Sequence, residues 1–383
     1  MYPDLSYLFH DLLGSSPDNW LSVFKTFGLM LVLAILAGSQ LLYLELRRKA
    51  REGMFQPEKV KEVVGRGPVV TEIVSNAVFG FIFGAKLLYI FGHFEEFKAN
   101  AAGVLFSLKG SLGGGILLAL VYAAYRYWQG KKEQLPKPKT VVKEVYPHDR
   151  IGEITIIAAV SGIVGAKIFD MIEHLDAFFA DPLGVFFSGS GLAIYGGLIG
   201  GFLGVSWFLR KHKIPIVPVL DAVAPALMIA YGIGRIGCQL AGDGDWGIVA
   251  GAMPEHWFLP DWMWSFNYPH NVAQEGVLIE GCTSHYCRVL PEGVYPTPFY
   301  ETVLAFLIGG FLWAIRKRVH IGGMLFFIYL TLNGIERFFI ERIRVNPRYD
   351  VLGFSLSQAQ IIAICLFVIG VAGMGYLYVR RRE

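Results

Sequence analysis

Arginines and acids at the ends of long apolar segments are the residues of this chain with chemistry to offer, and four groups contain them. The first, GSGLAIYGGLIGG at 189–201, sets Tyr195 before two glycines, Gly196 and Gly197. The second, GIGRIGCQLAGDGDWG at 232–247, carries Arg235, Gly237, Asp243 and Asp245. The third, YPTPFYE at 295–301, ends in Tyr300 and Glu301. The fourth, NGIERFFIERIR at 333–344, presents Asn333, Arg337, Glu341 and Arg344, with Arg337, Glu341 and Arg344 at about helical spacing. An ionisable side chain in or beside a membrane span is costly, so each is expected to face a cavity or a partner. Two or three guanidiniums together would grip a phosphate head group bidentately, and glycines would let that head group approach the backbone. The acids nearby are expected to be too few to rule out a lipid phosphate as partner of the arginines.

Each group also has a plainer reading. Arg235 and Arg337 could pair with Glu341 or Asp243 simply to lock helices together. Tyr195 could be a belt tyrosine at the membrane interface, and the glycine-rich stretches could be packing seams. Lys86 and Lys167, deep in apolar segments, could snorkel or pair rather than act. The convergence of all four groups on one face favours the functional reading. Among the four cysteines, Cys282 and Cys287 form a C-x₄-C pair in a polar loop. His270 and His285 could complete a zinc site with them, but a small disulfide is expected if the loop is exported. No metal or cofactor is expected.

The elements that must position these groups are membrane spans. Of the 383 residues, 54% are hydrophobic and 17% charged, against about a quarter charged in a soluble domain; mean hydropathy is +0.48. The apolar blocks have the ~20-residue length that crosses a bilayer as a helix. The reading is an all-α polytopic integral membrane protein with about nine transmembrane helices, near 22–44, 71–92, 103–127, 152–173, 184–209, 215–238, 298–316, 322–341 and 358–379. Lys and Arg cluster on alternate connections (LRRKAREG, YRYWQGKKEQLPKPKTVVKEV, LRKHK, IRKRVH, VRRRE), which places the N-terminus outside, the C-terminus in the cytoplasm and all four groups at the outer face. These basic runs, and the net charge of +3, are an orientation signal, and no nucleic acid is expected as partner. The loop ERIRVNPRYD is basic yet expected outside, which suggests that it binds an anion. The opening MYPDLSYLFHDLLG has no basic n-region, so no cleavable leader is expected.

Three regions follow. Residues 1–127 are an N-terminal helix plus a helical hairpin, and 128–150 are a Pro/Lys-rich cytoplasmic tether. Residues 151–383 are a membrane core with one outer loop insertion at 242–296. The tether separates the copies of a repeat. The segment from EIVSNAVFG aligns without gaps to the one from EITIIAAVS, offset by 81, so that Lys86 faces Lys167, His93 faces His174, and Gly103-Val104 faces Gly184-Val185. Both copies cross twice and are therefore parallel, unlike the inverted repeats of many transporters.

The four motifs, in this order, resemble those of the prolipoprotein diacylglyceryl transferase family over about residues 150–383, with the spans at 71–92 and 103–127 as an added copy of its first hairpin. The resemblance implies a multi-pass enzyme of the bacterial cytoplasmic membrane. Such an enzyme moves a diacylglyceryl group from phosphatidylglycerol to the lipobox cysteine of a prolipoprotein and releases glycerol phosphate. It implies that Arg235 and Arg337 hold the phosphate, that Tyr195 stands where many members have a catalytic histidine, and that Glu301 and Glu341 are the family's acids. Gly196, Gly197, Gly237, Asp243, Asp245, Tyr300, Asn333, Arg344 and Lys167 are then the expected substrate contacts. Departures fall in the hydrogen-bonding shell: Cys238 and Ala241 replace two asparagines, Asp243-Gly244-Asp245 replaces a glutamate, Tyr295 a histidine and Asn333 a tyrosine. The alternatives are a paralogous transferase with another lipid donor or acceptor, and a non-catalytic anionic-lipid-binding or transport protein.

Overall fold

The computed structural model describes residues 1–99, 101–181, 185, 193–351 and 353–381. The chain is mostly helical. Its helices are α1 (Leu5–Leu13), α2 (Thr26–Arg51), α3 (Val70–Gly92), α4 (Phe94–Ala99), α5 (Ala101–Phe106), α6 (Leu112–Lys132), α7 (Ile151–Glu173), α8 (Leu175–Ala180), α9 (Ile194–Lys211), α10 (Ile216–Ala241), α11 (Thr297–Ile315), α12 (Met324–Ile340) and α13 (Gln358–Arg380). By length and composition, six of the described helices can cross a bilayer: α2, α3, α7 with the turn before it, α10, α11 and α13. Only a helix, or a closed barrel, satisfies its backbone inside lipid. That requirement explains why apolar runs with few β-forming interruptions take this form.

The chain divides into two compact units, Met1–Phe55 with Lys213–Glu383, and Gln56–His212. In the first unit α10 packs against α2 and α11, and α12 against α13. Met228, Ala305, Leu312 and Leu325 form its apolar core. Asp221, buried on α10, accepts from the backbone N–H groups of Gly323 (2.7 Å) and Phe326 (3.1 Å), and so caps the start of α12. Ser357 and Gln360 form a reciprocal capping box that opens α13.

The second unit holds two helical hairpins, α3 with α6 and α7 with α9. The span expected at 103–127 is shifted: α5 stops at Phe106 and α6 starts at Leu112 behind its N-cap Ser111. The reason is Lys86, whose ammonium donates to the carbonyls of Val104 (2.8 Å), Ser107 (2.5 Å) and Lys109 (2.8 Å) and holds that segment as a turn. The stretch 128–150 is also not a plain tether. Within it β2 (Lys139–Val145) pairs antiparallel with β1 (Glu58–Val64), with Glu58 opposite Val145. Both segments are rich in β-branched residues (Val60, Val63 and Val64; Thr140, Val141, Val142 and Val145), a strand signal that a reading focused on Pro and Lys passes over.

The loop at 242–296 is a small cap with its own apolar centre of Trp246, Tyr268, Leu290 and Val294. It carries the ribbon β3 (Val277–Leu278) with β4 (Arg288–Val289). Cys282 and Cys287 are joined as a disulfide. The N-terminal segment is stitched onto the cap. Tyr286 N–H donates to Tyr7 Oη (3.1 Å), and His285 N–H to Asp18 Oδ2 (2.7 Å). A last ribbon, β5 (Arg348–Val351) with β6 (Phe354–Ser357), joins α12 to α13.

Candidate functional site

Glu301 is the centre of the site. It lies in the first turn and a half of α11, fully buried, and a charge there demands partners. Arg337, at the end of α12, donates from Nη1 to Glu301 Oε1 at 2.8 Å, and Tyr231 Oη donates to the same oxygen at 3.0 Å. On the other oxygen, Arg235 Nε stands at 3.1 Å and Arg344 Nη1 at 3.6 Å. Three guanidiniums therefore surround one carboxylate.

Two further acids fix the outer edges. Asp245 bridges Arg235 Nη1 on one oxygen and Arg344 Nη2 (2.5 Å) on the other. Burial alone would raise the Asp245 carboxyl, but the guanidiniums of Arg235 and Arg344 outweigh it and hold the group below the ordinary range. Glu341 lies 3.1 Å from Arg337 Nη2 one helical turn away and accepts from Asn346 Nδ2 at 2.5 Å. Every one of the three arginines thus has carboxylate partners. The clustering of acids was invisible in the sequence because Asp245, Glu301 and Glu341 come from separate segments.

Local backbone explains the meeting. Helix α10 ends at Gly242, whose φ of 64° is left-handed. A side chain there would be strained and would place a Cβ 2.9 Å from that of Asn271. That reversal sends the chain back so that Asp245 reaches Arg235 on the last turns of the same helix. Next, Gly247 N–H donates to the Tyr295 carbonyl (2.8 Å) and Ile248 N–H to that of Ile343 (2.8 Å). This short bridge registers the Asp245 strand against Arg344. A Cβ on Gly247 would lie 2.6 Å from the Ile343 oxygen, so only glycine permits it.

The remaining expected contacts have their own partners. Tyr300 Oη donates to the Met263 carbonyl (2.6 Å) in the cap, and Asn333 Nδ2 faces Met228 Sδ (3.7 Å). Gly237 is packed toward Phe27 and Met30 of α2. Asp243 accepts from Asp245 N–H (3.3 Å); burial, with Asp245 beside it, pushes its carboxyl above the usual range. Tyr195, Gly196, Gly197 and Lys167 belong to the second unit. There Gly196 packs against Gly165 and Phe169, Gly197 faces Ala166, and Lys167 is 3.5 Å from Asp170. The start of the first motif, 189–192, lies outside the described residues, as does Gly184 of the repeat.

Tyr231 and Asn346 were missed by the sequence reading. Tyr231 is four residues before Arg235 and so shares its helix face, with its ring 5.3 Å from the guanidinium. No comparable signal marks Asn346. Cys238, Asp243 and Asp245 have ligand atoms within 4.8 Å of one another, but Asp245 is already committed to two arginines, a poor setting for a cation.

Apolar helices closing on a buried knot of guanidinium and carboxylate make this a helical membrane protein with a polar centre at the ends of its spans. The profile of the prolipoprotein diacylglyceryl transferase family matches residues 114–376, and the chain belongs to that family of transferases. Among relatives, the phosphatidylglycerol–prolipoprotein diacylglyceryl transferase 2 of Clostridium perfringens is 31% identical over 229 residues, which are 59% of this chain and 78% of that protein. The corresponding transferase of Clostridium tetani is 28% identical over 272 residues, 70% of this chain and 94% of its own. That of Leptospira interrogans is 26% identical over 284 residues, covering 61% and 81%.

Proposed function

We propose that this protein transfers a diacylglyceryl group from phosphatidylglycerol to the cysteine thiol of a prolipoprotein, in a bacterial cytoplasmic membrane. The observation that carries the reading is the arginine triad around Glu301. Nε and Nη1 of Arg344 are buried and make no hydrogen bond to any described residue. Buried donors of this kind are expensive to leave unmade, and a phosphate oxygen would satisfy them. Arg235, Arg337 and Arg344 hold the phosphodiester, while Asp245, Glu301 and Glu341 fix the direction of each fork. Tyr231 braces Glu301 and Arg235 together.

The chemistry follows from the charges. The acceptor thiol gives its proton to a base, Tyr195 or a nearby carboxylate, because the thiolate is the nucleophile. Its sulfur attacks the diacylglyceryl carbon that carries the phosphate. The C–O bond breaks, its electron pair stays with the phosphate oxygen, and glycerol phosphate departs. Charge growing on that oxygen meets guanidiniums already oriented by their acids, which is where preorganised donors do most. The wider layout belongs to the same reading: about nine spans, N-terminus outside, C-terminus cytoplasmic, residues 151–383 as catalytic core, and 242–296 as an outer cap.

Complementation of a bacterium depleted of its own transferase tests the proposal. The native chain should restore growth and lipoprotein maturation. The Arg235→Lys, Arg337→Lys double variant should not, because a point charge loses the bidentate fork. Its turnover should fall by roughly 10²–10³-fold, the scale for lost preorganised donors. Full activity of that variant would end the proposal.

A further inference from the structure

The cap has a surface that its own packing leaves unexplained. Residues 253–262 (MPEHWFLPDW) expose Met253, Phe258, Leu259 and Trp262, and the Phe258 side chain is 89% exposed. The indole N–H groups of the neighbouring tryptophans turn inward. That of Trp264 donates to the Gly251 carbonyl (2.9 Å) and that of Trp257 to Pro260 (3.4 Å). Hydrogen-bonding capacity is thus spent inside the loop, and apolar surface is left outside. Glu255, His256 and Asp261 are exposed beside it, the mixture of apolar tip and polar rim found at a membrane interface.

Where this loop sits is fixed by α11. Trp262 packs edge-on against Phe299 at 4.9 Å, and the Tyr300 hydroxyl anchors the Met263 carbonyl. From Phe299 the same face of α11 continues, every fourth residue, through the exposed Val303, Leu307 and Phe311. The opposite face, with Glu301, Ala305, Gly309 and Leu312, is buried. A helix of a membrane protein that exposes such an apolar stripe presents it to lipid, so the loop begins where the lipid-facing stripe ends. On the N-terminal segment stitched to the same cap, Trp20 and Phe24 are exposed immediately before α2, whose exposed Phe27 and Leu31 continue that strip.

We propose that the loop at 253–262 is a membrane-inserted foot of the cap, with Phe258 and Trp262 embedded among the head groups and upper acyl chains of the leaflet on the site's side. The occupant is the lipid surface itself. Continuity with the α11 stripe selects it over a peptide or a second copy of the chain, since either would have to displace lipid from a surface contiguous with the bilayer. A foot there keeps the cap pressed to the leaflet beside Glu301 and its arginines, two helical turns or less from Phe299.

Nitroxide accessibility in reconstituted vesicles of phosphatidylglycerol and phosphatidylcholine tests this without recourse to activity. Single labels at Phe258→Cys and, as a second reporter, Met253→Cys are placed in full-length Cys365→Ser protein, with Leu307→Cys as the lipid control and Glu280→Cys as the aqueous control. Phe258 is so exposed that its replacement disturbs no packing. Collision with oxygen should exceed collision with a water-soluble nickel chelate at 258 and 253, as at 307, and the ratio should reverse at 280. Labels at 258 and 253 that behave like the one at 280 would overturn the proposal. So would a lipid-like ratio that disappears as protein is diluted in lipid, since that would mark a contact between copies.

Discussion

The two hairpins of the second unit are built on one seam but only one of them carries the tyrosine. In the first copy, a Cβ on Gly84 would lie 2.3 Å from the Gly114 carbonyl oxygen, and one on Gly114 would lie 2.7 Å from Leu88 Cβ. In the second, Gly165 meets the Gly196 oxygen at 2.3 Å and Gly196 meets Phe169 Cβ at 2.5 Å. Beyond the first helix of each, His93 Nδ1 stands 3.2 Å from the Tyr89 carbonyl and His174 Nδ1 3.1 Å from that of Asp170. Backbone-to-backbone contact through glycine is thus the shared requirement. The first helices correspond at an offset of 81, but the glycine contacts put the second helices at 82. One residue has therefore been gained between them, where the gapless alignment had none. The counterpart of Tyr195 is then Gly113, whose Cβ position faces open space. Both copies share the scaffold, and the tyrosine is present in one.

The largest effect should come from moving that tyrosine. With Tyr195 as the proposed base, Tyr195→Phe keeps ring packing and removes the hydroxyl, so turnover should drop by roughly 10²–10⁴-fold. Adding Gly113→Tyr to it should restore nothing, although the new ring has room. Transfer assays with phosphatidylglycerol and a lipobox peptide decide it, and any recovery would make the copies interchangeable and break the comparison.

A smaller effect separates seam from chemistry. Gly84→Ala and Gly165→Ala each force a methyl against a carbonyl oxygen, at a cost of about 1–3 kcal/mol for an overpacked contact. Both should lower the melting temperature in detergent by similar amounts. Activity per folded molecule should fall for Gly165→Ala alone, because only that seam positions Tyr195. Equal losses of activity would assign the added hairpin a part in the reaction.

Why the copies were legible and other features were not follows from where the information lies. Spans α3, α7, α10, α11 and α13 announce themselves as unbroken apolar runs, and the arginines stand out because charge is rare there. The start of α6 did not, since Lys86 sets it through carbonyls 18 to 23 residues away. The same holds for the site. Arg235, Arg337, Glu301 and Glu341 were legible as types in motifs, but their mutual pairing depends on the turn at Gly242 and the bridge at Gly247. Tyr300 and Asn333 occupy motif positions as well, yet the first is claimed by the cap and the second by Met228.

The smallest effect concerns how each hairpin is fastened at its open end. In the first copy Arg126 of α6 reaches Glu72 of α3, with Nε at 2.9 Å, and ties the two helices directly. By the offset of 82 the second copy has Phe208 where Arg126 would stand, so no such tie is available. Its fastener is Glu58 on β1, which accepts from Arg150 Nη2 (2.9 Å), just before α7, and lies 3.1 Å from His212 Nδ1, just after α9. Burial alone would raise the Glu58 carboxyl, but the hydrogen bonds from His212 and Arg150 outweigh it and hold the group below the ordinary range. A lowered carboxyl contributes its full stability above the unfolded value and loses it as pH falls through the folded one. Acidification through the carboxylate range should therefore loosen the second hairpin slightly, and Glu58→Gln should show that loosening already at neutral pH. The Glu58 side chain is 41% exposed, so solvent screens the pair and the shift in melting temperature should be small. Hydrogen exchange resolves the effect by segment. Faster exchange should appear at the start of α7 and the end of α9 in Glu58→Gln, with α3 and α6 unchanged. Uniform exchange across both hairpins would mean that the ribbon fastens them alike.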